Sequence, residues 1–323
     1  MAEERSRHPV GGVDYPRTLQ EFDEWFPSEA ACIDYLQRVR WPEGFRCPQC
    51  GAEAAWRTAR GEFRCPRCQR QTSPTAGTVF EGTRKPLRTW FLTMWYVTSQ
   101  KHGVSALGLQ RVLGLGSYQT AWAWLHKLRR AMVRPGRERL NGEVEVDETY
   151  VGGVEANVTG RQTFKKSIVA IAVEIRGRGS GRVRMRRVED LSGESLLPFV
   201  EAAVCPGAVV HTDGWAGYIG LARRGYYHRP KSLSASGDPA HVAMPRVHRI
   251  AALLARWWLG THQGAISRRH LDYYLDEYTF RYNRRGSRAR GMLFYRLLQQ
   301  AVRVDPVPYK RLVGGSSRAG PNM

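Results

Sequence analysis

Two aspartates, each closing a short strand-like run, are the groups in this sequence best placed for chemistry. The first lies in Glu143-Val144-Glu145-Val146-Asp147-Glu148-Thr149-Tyr150-Val151-Gly152-Gly153. Valines there alternate with acids at the period of a half-buried strand, and the glycine pair can reverse the chain with no Cβ in the way. The second, Asp213, follows Ala208–Thr212 and precedes Gly214-Trp215. A carboxylate at a strand end is held rigidly. Two brought together repel unless a cation lies between them, and divalent ions about 3.5–4 Å apart can bridge such groups during phosphodiester chemistry. Alone, the first stretch is equally the solvated face of an edge strand; a second strand with the same ending favours a site.

A third side chain on a following helix usually completes a site of this kind. Pro245 to Trp258 reads as that helix, with Pro at its start and Val247, Ala251, Leu254 and Trp258 apolar at helical spacing. His248 in its first turn is a candidate. Glu277, whose hard oxygen suits Mg²⁺, is another, and His262 a third.

The cysteines suggest a second metal. Cys47-Pro48-Gln49-Cys50 and Cys65-Pro66-Arg67-Cys68 are two CxxC knuckles with 14 residues between them. That spacing can close a tetrahedral Zn²⁺ site of four thiolates. Disulfides are the competing reading, disfavoured in a reducing compartment, and two copies argue against a redox CxxC. Cys32 and Cys205 sit in apolar segments and read as core residues.

Charge narrows the partner. Of 323 residues, 50 are Lys or Arg against 29 Asp or Glu, a net charge of +21. Such an excess calls for a polyanion, nucleic acid first and an anionic membrane surface second. No apolar run approaches the roughly 18 residues of a membrane span, and Met1 to Tyr15 lacks the apolar segment of a signal peptide. A cytosolic protein is expected.

The elements that must position these groups follow from periodicity. Met1 to Pro16 is expected to be disordered, and Thr18 to Val39 to form one or two helices, with Ser28 capping the second. Around the knuckles, Arg46, Arg57, Arg60, Arg64, Arg67 and Arg70 make the ribbon basic, as contact with a phosphate backbone would require. Leu87 to Gln100 is an aromatic-rich helix. A short helix from Ser105 to Leu113, the break Gly114-Leu115-Gly116, and a Ser117-capped helix to Met132 outline a helix-turn-helix. A plain helical hairpin is the alternative. Gln119, Thr120, Lys127, Arg129 and Arg130 on the last helix suit bases and phosphates, as do Lys165 and Lys166 in a later basic loop. Ser167 to Ile175 reads as a strand buried on both faces, Arg182 to Val188 as a third strand, and Ser192 to Val204 as an amphipathic helix before the Asp213 strand. Three strands, a helix, then a parallel strand ending in an acid open an RNase H-like α/β fold, in which Asp147 and Asp213 meet at one edge of the sheet.

The longer motifs carry a resemblance. Asp147 to Gly153, His211-Thr212-Asp213-Gly214-Trp215-Ala216-Gly217-Tyr218, Gly260-Thr261-His262-Gln263-Gly264 and the stretch from His270 to Arg285 are similar to bacterial insertion-sequence transposases. The group has an N-terminal zinc ribbon and a DDE-type catalytic core, and the similarity runs from about Pro42 to Val302. It implies that Asp147 and Asp213 are the first two catalytic acids. At the third position many relatives carry Glu, seven residues before a Lys-Arg pair. Arg256 matches that Arg, Ala255 replaces the Lys, and His248 occupies the Glu position. Glu277 then reads as a structural acid paired with Arg281 or its neighbours.

The resulting expectation is an RNase H-like core preceded by a zinc ribbon and a helix-turn-helix. Its segments are a tail with short helices (1–41), the ribbon (42–80), the helix-turn-helix region (81–138), the core (139–302) and a C-terminal tail (303–323). By resemblance the protein is a DNA transposase that binds terminal inverted repeats, cuts double-stranded DNA and joins a 3′-hydroxyl to target. It would use structural Zn²⁺, catalytic Mg²⁺ or Mn²⁺ at Asp147, Asp213 and His248, and a homodimer or higher oligomer, in the nucleoid-associated cytoplasm. The alternatives are a non-catalytic DNA-binding regulator, for which Ala255 and His248 leave room, and a metal-dependent nuclease without strand transfer.

Overall fold

A computed structural model describes residues 8–59, 61–134, 136–153, 165–231, 240–264 and 266–314. The chain forms two units, one ending at Met132 and resuming at Ser287, the other spanning Val133–Gly286. In the first, Thr18 caps α1 (Leu19–Trp25) and Ser28 caps α2 (Glu29–Arg40) through their hydroxyls. The disorder expected before Pro16 is not found over residues 8–16. Tyr15 is buried and stacks on Tyr295 at 5.8 Å, and the Tyr35 hydroxyl donates to the Asp14 carbonyl at 2.6 Å. A polar composition hid this anchor because one aromatic side chain supplies it.

Three two-residue strands, β1 (Trp56–Arg57), β2 (Phe63–Arg64) and β3 (Gln71–Thr72), form the antiparallel ribbon. Its small core stacks Phe45 on Phe63 at 4.7 Å beside Cys47 and Cys65. Glu29 of α2 then caps α3 (Leu87–Ser99) by accepting from the Leu87 N–H at 2.8 Å. The helix-turn-helix outline follows as α4 (Ala106–Leu113) and α5 (Tyr118–Ala131), capped by Ser105 and Ser117. Gly114 ends α4 at φ 59°, a left-handed conformation that favours glycine.

The second unit is a five-stranded sheet in the order β6-β5-β4-β7-β8. Its elements are β4 (Glu143–Val151), β5 (Ser167–Arg176), β6 (Gly179–Val188), α6 (Gly193–Ala203), β7 (Val209–Thr212) and β8 (Tyr227–Pro230). Strands β4 to β6 pair antiparallel, and β7 lies parallel to β4, with β8 parallel to β7. This is the RNase H-like arrangement expected. Period two divides β4 between two cores. Val144 and Val146 join Ala170, Ala172 and Val210 under α6. Opposite them, Val169, Ile171 and Val173 pack beneath α8 (Pro245–His262) and α9 (Leu271–Asn283), which follow the short α7 (Ala240–Ala243). As expected, β5 is buried on both faces over most of its length.

The expected core ran to residue 302, but α10 (Arg290–Ala301) belongs to the first unit, with α11 (Tyr309–Gly314) in place of a tail. Phe294 of α10 is fully buried against Phe22, Phe26, Phe91 and Trp95. A helical period shows that α10 has an apolar face without showing which unit that face covers.

Candidate active site and zinc centre

Register decides where the two aspartates go. Along β4 and β7, Glu143 pairs with Val209, Val144 with Val210 and Glu145 with His211. The pairing ends there; continued two residues past it, the same register leads to Asp147 on one strand and Asp213 just after the other. Glu145 and Asp147 pair with Val173 and Ile171 of β5, so their side chains share the face that α8 covers. There His248 Nε2 lies 3.5 Å from Asp147 Oδ2. That nitrogen is buried and has no hydrogen-bond partner among the described residues. The separation is too long for a good hydrogen bond and suits two ligands of one cation.

The backbone around the aspartates is tied down. Asp147 Oδ1 accepts from the Glu148 N–H at 2.9 Å, and Asp213 Oδ1 from the Trp215 N–H at 3.0 Å. The Trp215 indole donates to the Leu191 carbonyl at 2.8 Å. Gly217 passes so close to that carbonyl that a Cβ would lie 2.5 Å from it. Tyr218, fully buried, donates to the Glu148 carboxylate and thus links the Asp213 loop to β4. Burial holds its phenol far above the usual pKa, helped by the charges of Glu148, Asp147 and Asp213. Both aspartates therefore act on one buried hydroxyl.

Sequence reasoning missed Glu145 as anything beyond an alternating acid. Fully buried, it accepts from the backbone N–H groups of Arg246 and Val247 at 2.9 Å each, at the start of α8. The signal was present: an acid on the Asp147 face and a helix start lacking a Ser, Thr or Asp cap.

The other third-position candidates lie elsewhere. Glu277 is fully buried in α9 and accepts from Arg281 at 2.7 and 2.9 Å, the structural role read for it. His262 packs between the Trp257 and Tyr274 rings, at 4.8 Å from each centroid. It sits fourteen residues after His248 on the same helix, about 21 Å along its axis.

The expected DNA contacts divide. Gln119 is exposed and Thr120 half-buried, its hydroxyl 2.9 Å from that of Ser117. Lys127 and Arg130 are half-buried, and burial lowers the Lys127 pKa against the pull of Glu81. Arg129 is 1% exposed, with its guanidinium 3.5 Å from His126 Nε2. A surface phosphate contact by Arg129 is thus corrected to an interior role, because α4, α10 and α11 all pack on α5. The open part of this motif is the start of α5 (Tyr118, Gln119) with Leu107, Arg111 and Val112 of α4. Lys165 is exposed and Lys166 half-buried. On the ribbon, Arg46 pairs with Glu53 and Arg57 with Asp34; Arg60 lies outside the described residues.

The Sγ atoms of Cys47, Cys50, Cys65 and Cys68 all lie within 4.8 Å of one another. A zinc tetrathiolate with Zn–S near 2.3 Å sets its sulfurs about 3.8 Å apart, so the donor set fits. The knuckles repeat one pattern: Gly51 N–H donates to the Cys47 carbonyl and Gln69 N–H to that of Cys65, both at 2.9 Å. Burial raises the Cys47 pKa, but N–H groups of Cys50 and Gln49 outweigh it and bring the thiol to about 6.

Residues 139–283 match the family model of the ISXO2-like transposase domain, and residues 27–71 that of the transposase zinc-ribbon domain. The chain thus carries an ISXO2-like transposase domain behind a transposase zinc ribbon. The first match ends at the close of α9, which agrees with the assignment of α10 to the other unit. A relative from Halobacterium salinarum, described as a protein in transposable element ISH50, is 27% identical over 279 residues. The alignment covers 79% of this chain and 91% of the relative. That organism is an archaeon, so the likeness reaches beyond the bacterial elements expected from the motifs. Among the described residues, no helix is long and apolar enough to cross a membrane.

Proposed function

We propose that this transposase binds double-stranded DNA at the ends of its element, cleaves it and transfers the exposed 3′-hydroxyl to target DNA. The chemistry would occur at a divalent-metal site made by Asp147, Asp213 and His248. The observation that carries this reading is the buried His248 Nε2, without a hydrogen-bond partner among the described residues and 3.5 Å from Asp147 Oδ2, at the end of β4 beside the β7 strand that leads to Asp213. Mg²⁺ or Mn²⁺ held there would polarise the phosphodiester and favour a deprotonated oxygen nucleophile. The two aspartates contribute anionic oxygens and His248 a neutral nitrogen, while Tyr218 and Glu148 fix the Asp213 loop. Zn²⁺ on the four cysteines holds the ribbon, which binds DNA together with the exposed start of α5. Joining two element ends calls for at least two copies on the DNA.

Imidazole is a softer ligand than carboxylate and suits Mn²⁺ better than Mg²⁺. His248→Ala should therefore lower Mn²⁺-supported cleavage of an end-sequence duplex about 10²-fold, the upper range for a lost ligand-sphere group. His248→Glu should retain part of the rate and prefer Mg²⁺. Cleavage by His248→Ala at the parent rate would remove His248 from the site.

The α5 residues should separate in binding assays. Gln119→Ala should alter preference among end sequences with the salt dependence kept. Arg129→Ala should instead lower thermal stability, since it empties a large buried space in the interior around α5, at a cost of roughly 2–5 kcal/mol, as for other large-to-small core substitutions. An Arg129→Ala protein of parental melting temperature with a shallower salt slope would restore Arg129 as a phosphate contact.

A further inference from the structure

We propose that Glu145 is a positioning residue for the metal site: its buried carboxylate seats the first turn of α8 on β4 and so sets His248 against Asp147. This rests on reading Asp147, Asp213 and His248 as one site. Glu145 Oε2 accepts from both the Arg246 and Val247 N–H groups at 2.9 Å, and Oε1 accepts from Arg246 Nη1 at 3.0 Å. Both oxygens are engaged, so Glu145 serves as an anchor for the helix and not as a ligand. The same Arg246 guanidinium donates to the carbonyls of Gly177 at 2.7 Å and Gly179 at 3.1 Å, at the turn between β5 and β6. The helix start is thereby fixed to the sheet at three places.

The geometry makes this anchor specific to His248. Glu145 and Asp147 are successive residues on one face of β4, about 7 Å apart, and Val247 immediately precedes His248. A slip of α8 by one residue would shift it about 1.5 Å and rotate it about 100°, which turns the imidazole away from Asp147. Negative charge at a helix N-terminus is also favourable, so the anchor holds before any cation arrives. His248 is preplaced by Glu145 instead of being gathered in by the metal.

The test is a thermodynamic cycle on the full-length protein without DNA, with Mn²⁺ as probe and zinc content and cooperative melting as folding controls. In the parent, electron spin-echo spectra should show nitrogen coupling to Mn²⁺ that His248→Ala abolishes. Glu145→Gln should lose that coupling and bind Mn²⁺ about tenfold more weakly, the lower end expected for a residue orienting a ligand. Adding Glu145→Gln to His248→Ala should cost no further affinity, because the anchor acts only through the histidine. Retained nitrogen coupling in Glu145→Gln, or losses that add in the double variant, would overturn the proposal while leaving the site intact. A parent protein with no His248-dependent coupling would overturn the site itself, and this inference with it. Should Glu145→Gln fail to fold, Arg246→Ala removes the guanidinium bonds to Glu145, Gly177 and Gly179, keeps the two N–H bonds to Glu145, and is read the same way. It should weaken the coupling and lower affinity about threefold, a fraction of the full effect; an unchanged spectrum and affinity would again refute the anchor.

Discussion

Asp147→Asn should bind element-end duplex as tightly as the parent and cleave it at least about 10³-fold more slowly, roughly 4 kcal/mol of barrier, and Asp213→Asn should do the same. The amide keeps the size and shape of the side chain, so the β4–β7 register and the buried packing around it persist. What it removes is the anionic oxygen that a hard divalent cation requires. With one fewer negative charge at a crowded sheet edge, the folded protein should be no less stable. Gel-shift titration beside single-turnover cleavage, each in Mg²⁺ and in Mn²⁺, separates the two effects. Cleavage within tenfold of the parent by either variant, or a matching loss of DNA binding, would take these aspartates out of the chemistry. The second outcome would point to a regulator that only binds DNA.

Removal of zinc should abolish DNA-end recognition and leave the sheet unit folded. The ribbon has little else to hold it. Its strands are two residues long, and the buried members of the apolar cluster around the knuckles are only Phe45, Cys47 and Cys65 among the described residues. A domain of that size gains its folding free energy from the metal, apparent values for zinc-finger peptides being about 10–16 kcal/mol. The parent should carry about one zinc per chain, four thiolates being one complete tetrahedral set. Cys50→Ser should carry none, lose preference for end sequences over random duplex, and keep the cooperative melting of the five-stranded unit. End binding by metal-free protein at parental affinity would contradict this account.

What the sequence revealed, and what it did not, follows from how local each signal is. Serine caps at Ser28 and Ser117, the valine–acid alternation of β4 and the paired CxxC turns depend on neighbours within a few residues, and each appears in the structure as read. The parallel pairing of β4 with β7, the strands that lead to Asp147 and Asp213, was legible because strand order follows from the order of elements. Arg129 failed because a helix wrapped on several sides has no outer face for periodicity to find, and an arginine inside it looks like one on the surface. Glu145 was passed over because its partners, the N–H groups of Arg246 and Val247, lie about a hundred residues away and carry no side-chain signature. Tyr15 and α10 failed for the same reason: their contacts are distant in the chain.

The return of α10 to the first unit has a consequence for synthesis. The sheet unit is in effect a long insertion within the sequence of the first unit, whose aromatic core stays open until Phe294 has been made. From Trp95 to Phe294 the ribosome adds some two hundred residues, on the order of ten seconds or more at ordinary elongation rates. Throughout that interval Phe22, Phe26, Phe91 and Trp95 lack the side chain they close around. A nascent or prematurely terminated chain ending after α5 would therefore expose a sticky aromatic surface and be a substrate for chaperones and proteases. The element's ends would be recognised only by chains translated past their catalytic residues, so truncated products could not compete for them.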